Sequence, residues 1–115
     1  MISRQAILRG YQISVKKFSA MLHSLPDKTK KQLNLKRRQY YFKPYQVHII
    51  VDQFGDYENG RFLDKGRFAK NYGLGAREMR NMIIDEFGEA SKLLHGNRYF
   101  SPKEQQMIID KIGKW

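Results

Sequence analysis

Apolar residues recur along the chain with the spacing of short amphipathic helices. Val15, Phe18 and Leu22 would lie on one face of a helix that Ser14 caps at its N terminus. The same spacing, together with prolines at helix starts and turn residues between segments, predicts further helices at residues 26–33, 44–54, 65–71, 76–85 and 102–112. The sequence therefore predicts a mainly α-helical protein.

One stretch of this pattern occurs twice, with an offset of 58 residues between Tyr41 and Tyr99. Each copy has an aromatic pair, a proline two residues later, an aliphatic helix and a closing glycine. In the second copy Ser101 suits the N-cap, Pro102 the first helical position and Glu104 the third, which completes a capping box. The repeated stretch indicates an internal duplication in which each copy ends with a helix opened by an aromatic-proline motif.

The duplication predicts two tandem repeats. We expect residues 1–13 to form an N-terminal arm carrying Arg4 and Arg9, and residues 14–55 to form the first repeat. Residues 56–62 have no apolar periodicity and are expected to link it to the second repeat at residues 63–115. Because about 55 residues is near the lower limit for independent folding, the two repeats are expected to pack together.

Residues 65–84 fit the helix-turn-helix pattern. That unit needs a small residue at its fifth position, where the helices cross, and a glycine at its ninth, where the backbone is left-handed. These positions hold Ala69 and Gly73. The expected core positions hold apolar or aromatic residues, namely Phe68, Tyr72, Met79 and Met82. An ordinary helical hairpin is the alternative interpretation, because helix pairs with glycine turns are common.

The second helix of this unit carries the candidate base-reading residues. Arg77, Arg80 and Asn81 would point away from the packed face. Arginine can donate two hydrogen bonds to guanine, and asparagine can pair in the same way with adenine, in the major groove of DNA. The alternative is a solvated charged face that also includes Glu78.

Charge strengthens the case for a polyanionic partner. The net charge is +11, and residues 1–55 hold 11 Lys or Arg against two acids, whereas residues 56–115 hold 11 against nine. Basic surfaces bind nucleic acid partly through counterion release. With one gap allowed, the first repeat matches the second with Ser19 and His23 at the alanine and glycine positions, so its basic helix looks suited to phosphate contact. The candidate backbone contacts are Lys28, Lys30, Lys31, Lys36, Arg37, Arg38 and Arg98.

Other chemistry has little support in the sequence. There are no cysteines, and His23, His48 and His95 lack the short spacings of a metal site. No apolar run approaches the roughly 18 residues that span a bilayer. We expect a non-enzymatic cytoplasmic, nucleoid-associated protein without metal or cofactor.

The aromatic residues near each proline have two interpretations. Tyr40, Tyr41, Tyr99 and Phe100 could stack on single-stranded bases. Aromatic residues with this spacing more often form a hydrophobic hinge between a strand and a helix, and we favour that core role.

The repeat resembles the winged-helix variety of helix-turn-helix found in MerR-type regulators and phage excisionases. The resemblance rests on Arg98, Tyr99, Phe100, Ser101, Pro102, Lys103 and Glu104. It implies that residues 36–38 and 95–98 are wings that contact the DNA backbone or minor groove. It does not imply the small-molecule sensing of full-length MerR regulators.

Together these patterns predict a mainly α protein of two tandem, diverged helix-turn-helix repeats with short β wings. We expect it to bind double-stranded DNA as a small transcriptional regulator or an excisionase-like architectural factor. It would act as a monomer with internal pseudo-symmetry or as a homodimer. The alternatives are an RNA-binding or ribosome-associated protein, and an adaptor for a protein partner that has lost DNA binding.

Overall fold

The protein is mainly helical, with two small antiparallel sheets. The computed structural model describes residues 1–36, 39–88 and 99–115. These residues divide into two compact units, Met1–Arg61 and Phe62–Trp115, hereafter the first and second units. The boundary falls within the predicted linker at residues 56–62. None of the helices in the described ranges has the length and apolar content needed to cross a membrane.

The first unit has two short strands and four helices. In chain order they are β1 (Ile2–Ser3), α1 (Arg4–Tyr11), α2 (Val15–His23), α3 (Asp27–Leu33), β2 (Tyr41–Phe42) and α4 (Pro44–Phe54). Strand β1 pairs antiparallel with β2, so that Ile2 lies opposite Phe42. The core takes apolar residues from every helix and from β2, including Ile7, Tyr11, Phe18, Leu33, Phe42, Ile50 and Phe54.

Among the described residues, the second unit has its elements in a similar order. Its elements are β3 (Leu63–Asp64), α5 (Lys65–Asn71), α6 (Ala76–Phe87), β4 (Tyr99–Phe100) and α7 (Pro102–Ile112). Strand β3 pairs antiparallel with β4, with Leu63 opposite Phe100. The buried cluster at its centre consists of Phe68, Ala69, Met79, Ile83, Phe100 and Ile108.

Local sequence signals placed most of the helices correctly. Helices α2, α4, α5 and α7 begin where they were predicted, and α6 runs two residues beyond its predicted end. The predicted capping box of α7 is confirmed. The Ser101 hydroxyl accepts from the Glu104 backbone N–H at 3.2 Å, and the Ser101 N–H donates to Glu104 Oε1 at 3.0 Å. Both side chains are buried.

The prediction that residues 1–13 form an arm was wrong. The Ser3 side chain caps α1 by accepting from the Ala6 N–H, and Ile7, Leu8 and Tyr11 are buried in the core of the first unit. The Arg4 N–H donates to the Tyr40 carbonyl at 2.7 Å, which ties the start of α1 to the chain before β2. The first unit is therefore complete only with its N-terminal strand and helix.

Equivalent residues recur in the two units, with an offset of 61 before the second helix ends and 58 after it. Gln12 and Gly73 both have a left-handed backbone, with φ of 57° and 71°. Each lies just after the first helix of its unit. The Tyr11 hydroxyl donates to the Gly55 carbonyl at 2.6 Å, and the Tyr72 hydroxyl donates to the Gly113 carbonyl at the same distance. The two units thus share a common plan.

This equivalence corrects the predicted alignment of the first repeat. The helix pair that corresponds to α5 and α6 is α1 and α2. Leu8 and Gln12, not Ser19 and His23, occupy the positions of Ala69 and Gly73. Helix α3, which carries the lysines that the sequence suggested for phosphate contact, has no counterpart among the described residues of the second unit.

Candidate nucleic-acid interface

Helix α6 is held by its buried face and presents a polar face outward. Met79 and Ile83 are 1% and 7% exposed, and Ala69, fully buried on α5, allows the two helices to approach. The turn between them needs the left-handed backbone of Gly73, which an ordinary side chain would strain. The orientation of α6 is therefore fixed by packing rather than by a flexible connection.

The outward face of α6 brings the predicted base-reading residues together. Arg77, Arg80 and Asn81 are all exposed. Arg80, Asn81 and Ile84 follow Arg77 by three, four and seven residues, which places all four on one face of the helix. Ile84 is 46% exposed. Sequence reasoning missed Ile84 because isoleucine is normally assigned to the core. Its position seven residues after Arg77 was the signal that could have found it.

Lys65, at the start of α5, lies within electrostatic range of Arg80 on this face. Burial lowers the pKa of Lys65 at the start of α5, the Glu104 carboxylate opposes that shift, and the nearby charge of Arg80 adds to it. Arg80 and Glu104 therefore act on Lys65 with opposite signs. The exposed acids of α6 are Glu78, Asp85 and Glu86, and Glu78 accepts from the Gly75 N–H at 3.3 Å as part of the N-terminal cap.

The equivalent face in the first unit lies on α2 and has a different chemistry. Its exposed residues include Lys16, Lys17, Ser19, Ala20 and His23. Lys16 takes the place of Arg77, and the small Ser19 and Ala20 take the places of Arg80 and Asn81. No acid lies on α2. Lys16 and Lys17 do not follow from the predicted alignment, in which α3, rather than α2, corresponds to the recognition helix.

The predicted backbone-contact residues are placed unevenly. Lys28 and Lys31 on α3 are exposed, as is Lys36. Lys30 is partly enclosed, because its Nζ donates to the His23 carbonyl at 3.1 Å and lies 3.4 Å from Asp27 Oδ1. Three predicted contacts, at Arg37, Arg38 and Arg98, lie outside the described residues, as does most of both predicted wings.

The aromatic residues divide between core and surface. Phe100 is buried, as the core interpretation predicts, and Tyr99 is half-buried, whereas Tyr40 and Tyr41 are 57% and 63% exposed. The core role was therefore wrong for these two tyrosines. Tyr45, at the start of α4, is also 44% exposed, so the first unit presents three tyrosines to solvent.

A cavity of about 480 Å³ opens in the first unit between α2, α3 and the segment before β2. Its apolar lining includes Phe18, Leu22, Leu33 and Phe42, and its basic lining consists of Arg4, His23, Lys30 and Lys36. No sequence pattern predicts this cavity, because its walls come from four separate segments.

Metal-site chemistry finds no geometric support in the described part of the chain. Among those residues, no three His, Cys, Asp or Glu side chains lie close enough together to hold a metal ion.

Comparison with known proteins leaves the family open. No protein-family model, no curated protein and no solved structure matches the chain. Its function must be inferred from its own residues.

Proposed function

We propose that the protein binds double-stranded DNA without catalysing a reaction, and that α5 and α6 form a helix-turn-helix. The observation that carries this proposal is the exposed trio Arg77, Arg80 and Asn81. They lie on a helix whose opposite face is buried and which follows a left-handed glycine turn. This arrangement suits a recognition helix in the major groove.

Each residue of the trio has a distinct role in this proposal. Arg77 and Arg80 donate paired hydrogen bonds to guanine, and Asn81 pairs with adenine. Ile84, on the same face, offers an apolar contact to a thymine methyl group.

The first unit supplies non-specific affinity. Lys16 and Lys17 on α2, with Lys28, Lys31 and Lys36, form a basic surface without an amide side chain at the base-reading positions. Such a surface neutralises phosphates and positions the protein without reading sequence. The units then act as tandem helix-turn-helix modules of a small nucleoid-associated regulator or excisionase-like factor. As a monomer or homodimer, the protein would occupy half-sites about one helical turn apart.

Fluorescence anisotropy on duplexes from a selected binding pool, at two salt concentrations, tests the base-reading role. Arg77→Ala and Arg80→Ala should each cost about 1–3 kcal/mol on the preferred duplex and much less on a shuffled one. The matched control is Lys111→Ala, which removes one exposed charge from α7. Unchanged sequence preference in both arginine variants would show that α6 does not read bases.

Charge removal in the first unit should act differently. Lys16→Ala and Lys17→Ala are expected to weaken binding to preferred and shuffled duplexes alike, and to reduce the salt dependence by about one phosphate each. A change in sequence preference would contradict the anchoring role. Absence of any salt-sensitive binding to nucleic acid would favour the protein-adaptor alternative.

The exposed tyrosines favour a second candidate, binding of single-stranded or structured RNA by the first unit. Tyr40, Tyr41 and Tyr45 lie near Lys36 and Lys43 in the sequence, and aromatic side chains beside basic ones stack on unpaired bases. Competition between duplex DNA and structured RNA separates the candidates. If Tyr41→Ala weakens RNA binding by about 1–3 kcal/mol and leaves duplex binding unchanged, the result favours RNA binding by the first unit.

A further inference from the structure

We propose that the cavity of the first unit binds a small amphiphilic organic acid, with the acidic group at Arg4 and the apolar body against Phe18 and Leu22. This inference goes beyond DNA binding and does not depend on it. The cavity, at about 480 Å³, lies within the range of about 300–1,000 Å³ that is usual for small-molecule sites.

The charge of the lining selects an anion. Arg4, Lys30 and Lys36 line the cavity with His23, and none of the described lining residues is acidic; Lys30 also lies 3.4 Å from Asp27 Oδ1, outside the lining. The Nε atom of Arg4 is buried and, among the described residues, has no hydrogen-bond acceptor. Its guanidinium lies 4.7 Å from the centroid of the Tyr40 ring, which holds the side chain in place. A buried donor of this kind favours a ligand oxygen that accepts from it.

The second unit holds a carboxylate within electrostatic range of the equivalent cation. Lys65 takes the place of Arg4, and Glu104 takes the place of Gln46. The Glu104 carboxylate acts electrostatically on Lys65, so the second unit provides its own anion. In the first unit Gln46 is neutral, and its Nε2 donates to the Leu33 carbonyl at 3.0 Å. The first unit therefore has the cation without the matching carboxylate.

The apolar part of the cavity determines the rest of the ligand. Phe18, Leu33 and Phe42 are each 2% exposed, and Leu22 and Leu35 complete this side. A bare phosphate or sulfate would satisfy the cations but leave the half-buried Leu22 and Leu35 partly in contact with water. A hydrocarbon or aromatic body attached to the acid would cover them.

The test uses the full-length protein and the fluorescent acid 8-anilinonaphthalene-1-sulfonate, which has one sulfonate and an aromatic body. We expect one saturable site per chain, displaced by 1-naphthoate. Inorganic phosphate at matched ionic strength should compete at least about tenfold less well, because it lacks the apolar body. Equal competition by phosphate would overturn the proposal and favour a contact with the DNA backbone.

Two matched pairs of variants locate the probe. Ser19, exposed on α2, lines the cavity, so Ser19→Glu introduces a carboxylate there and Ser19→Gln is its neutral isostere. Lys30 lines the cavity, whereas its neighbour Lys31 does not. Ser19→Glu and Lys30→Gln should weaken binding about tenfold, and Ser19→Gln and Lys31→Gln by less than about twofold.

Thermal melting of each variant shows whether the fold is retained. Equal affinity in Ser19→Glu and Ser19→Gln would place the probe elsewhere and overturn the proposal. Because both substitutions are at an exposed helix position, this pair remains informative even if Lys30→Gln, which loses its bond to the His23 carbonyl, melts early.

Discussion

The two units use one plan for two different surfaces. The outward face of α6 carries Arg77, Arg80, Asn81 and Ile84, whereas the equivalent face of α2 carries lysines and small side chains. The first unit has 12 Lys and Arg against four acids, and the second has ten against seven. The tyrosine–glycine bond is therefore kept in both units, whereas the charge and the hydrogen-bonding groups of their surfaces differ.

The difference at Gln46 and Glu104 shows how one buried position changes a unit. Both side chains accept a backbone N–H, from Lys43 at 2.9 Å and from Ser101 at 3.0 Å. Only Glu104 also supplies a charge. The cap is thus preserved by either residue, and the charge is the variable part.

The largest expected effect comes from a close contact that only the first unit has. A Cβ added at Gly10 would overlap the Tyr57 carbonyl oxygen and lie 2.8 Å from its carbon. Gly10→Ala should therefore lower the free energy of unfolding by about 2–3 kcal/mol, despite the better helix propensity of alanine. Urea denaturation measures this change. Asn71→Ala, at the exposed equivalent position, should stay within about 0.5 kcal/mol; similar values for both would contradict the contact.

Exchanging the residues at the buried cap should affect the units unequally. Gln46→Glu places a carboxylate against the Leu33 carbonyl and loses the donated bond, so we expect a loss of about 2 kcal/mol. Glu104→Gln keeps the acceptor for the Ser101 N–H and should cost less than about 1 kcal/mol. Chemical denaturation of both variants checks the asymmetry. A larger loss in Glu104→Gln would mean that its charge is essential to the second unit.

The tyrosine hydroxyl that both units use can be removed from each unit by substitution with phenylalanine. Tyr11→Phe leaves the partly buried Gly55 carbonyl without this donor and should cost about 1 kcal/mol. The Tyr72 bond to Gly113 is exposed, so Tyr72→Phe should cost about half as much because water replaces the hydroxyl. Thermal melts of both variants give the order. The reverse order would show that exposure does not set the strength of these bonds.

The smallest effect is expected at pH 10. Burial raises the pKa of Tyr11 above its ordinary value of 10.0, and the charge of Asp56 contributes to the shift. The unfolded chain then loses this proton first, so the stabilisation is complete below pH 10 and is lost as pH rises above it. The loss should be about 0.4 kcal/mol at pH 10 and should grow at higher pH. Tyr11→Phe removes this contribution, and denaturation at pH 8, 10 and 11 compares the two proteins.

Local signals explain what the sequence predicted well. Helices α4, α5 and α7 have a proline, an aspartate or a capping box at the start, and each signal depends on only a few neighbouring residues. Ala69 and Gly73 were also assigned correctly, because a buried crossing point and a left-handed turn restrict residue type strongly. In the candidate site, Arg77, Arg80 and Asn81 are exposed as predicted, while their DNA-reading role stays a prediction.

The misses share one physical cause, which is dependence on distant partners. Helix α1 is only eight residues long and has two arginines, so its buried face becomes clear only through its contacts with Gly55 and Tyr57. Because α1 was not predicted, the predicted alignment assigned α2 and α3, instead of α1 and α2, to the helix pair of the first unit. The cavity and the exposure of Tyr40 likewise depend on segments far apart in sequence.

The tyrosine–glycine bond also bears on how such a protein can arise. In each unit it fastens the end of the first helix to the residue just after the last one, at Gly55 and at Gly113. A unit whose first and last helices are fastened to each other can be copied in tandem through a short connector, without rerouting any internal segment. It is equally suited to circular permutation, with new ends cut in a surface loop and the old ones joined.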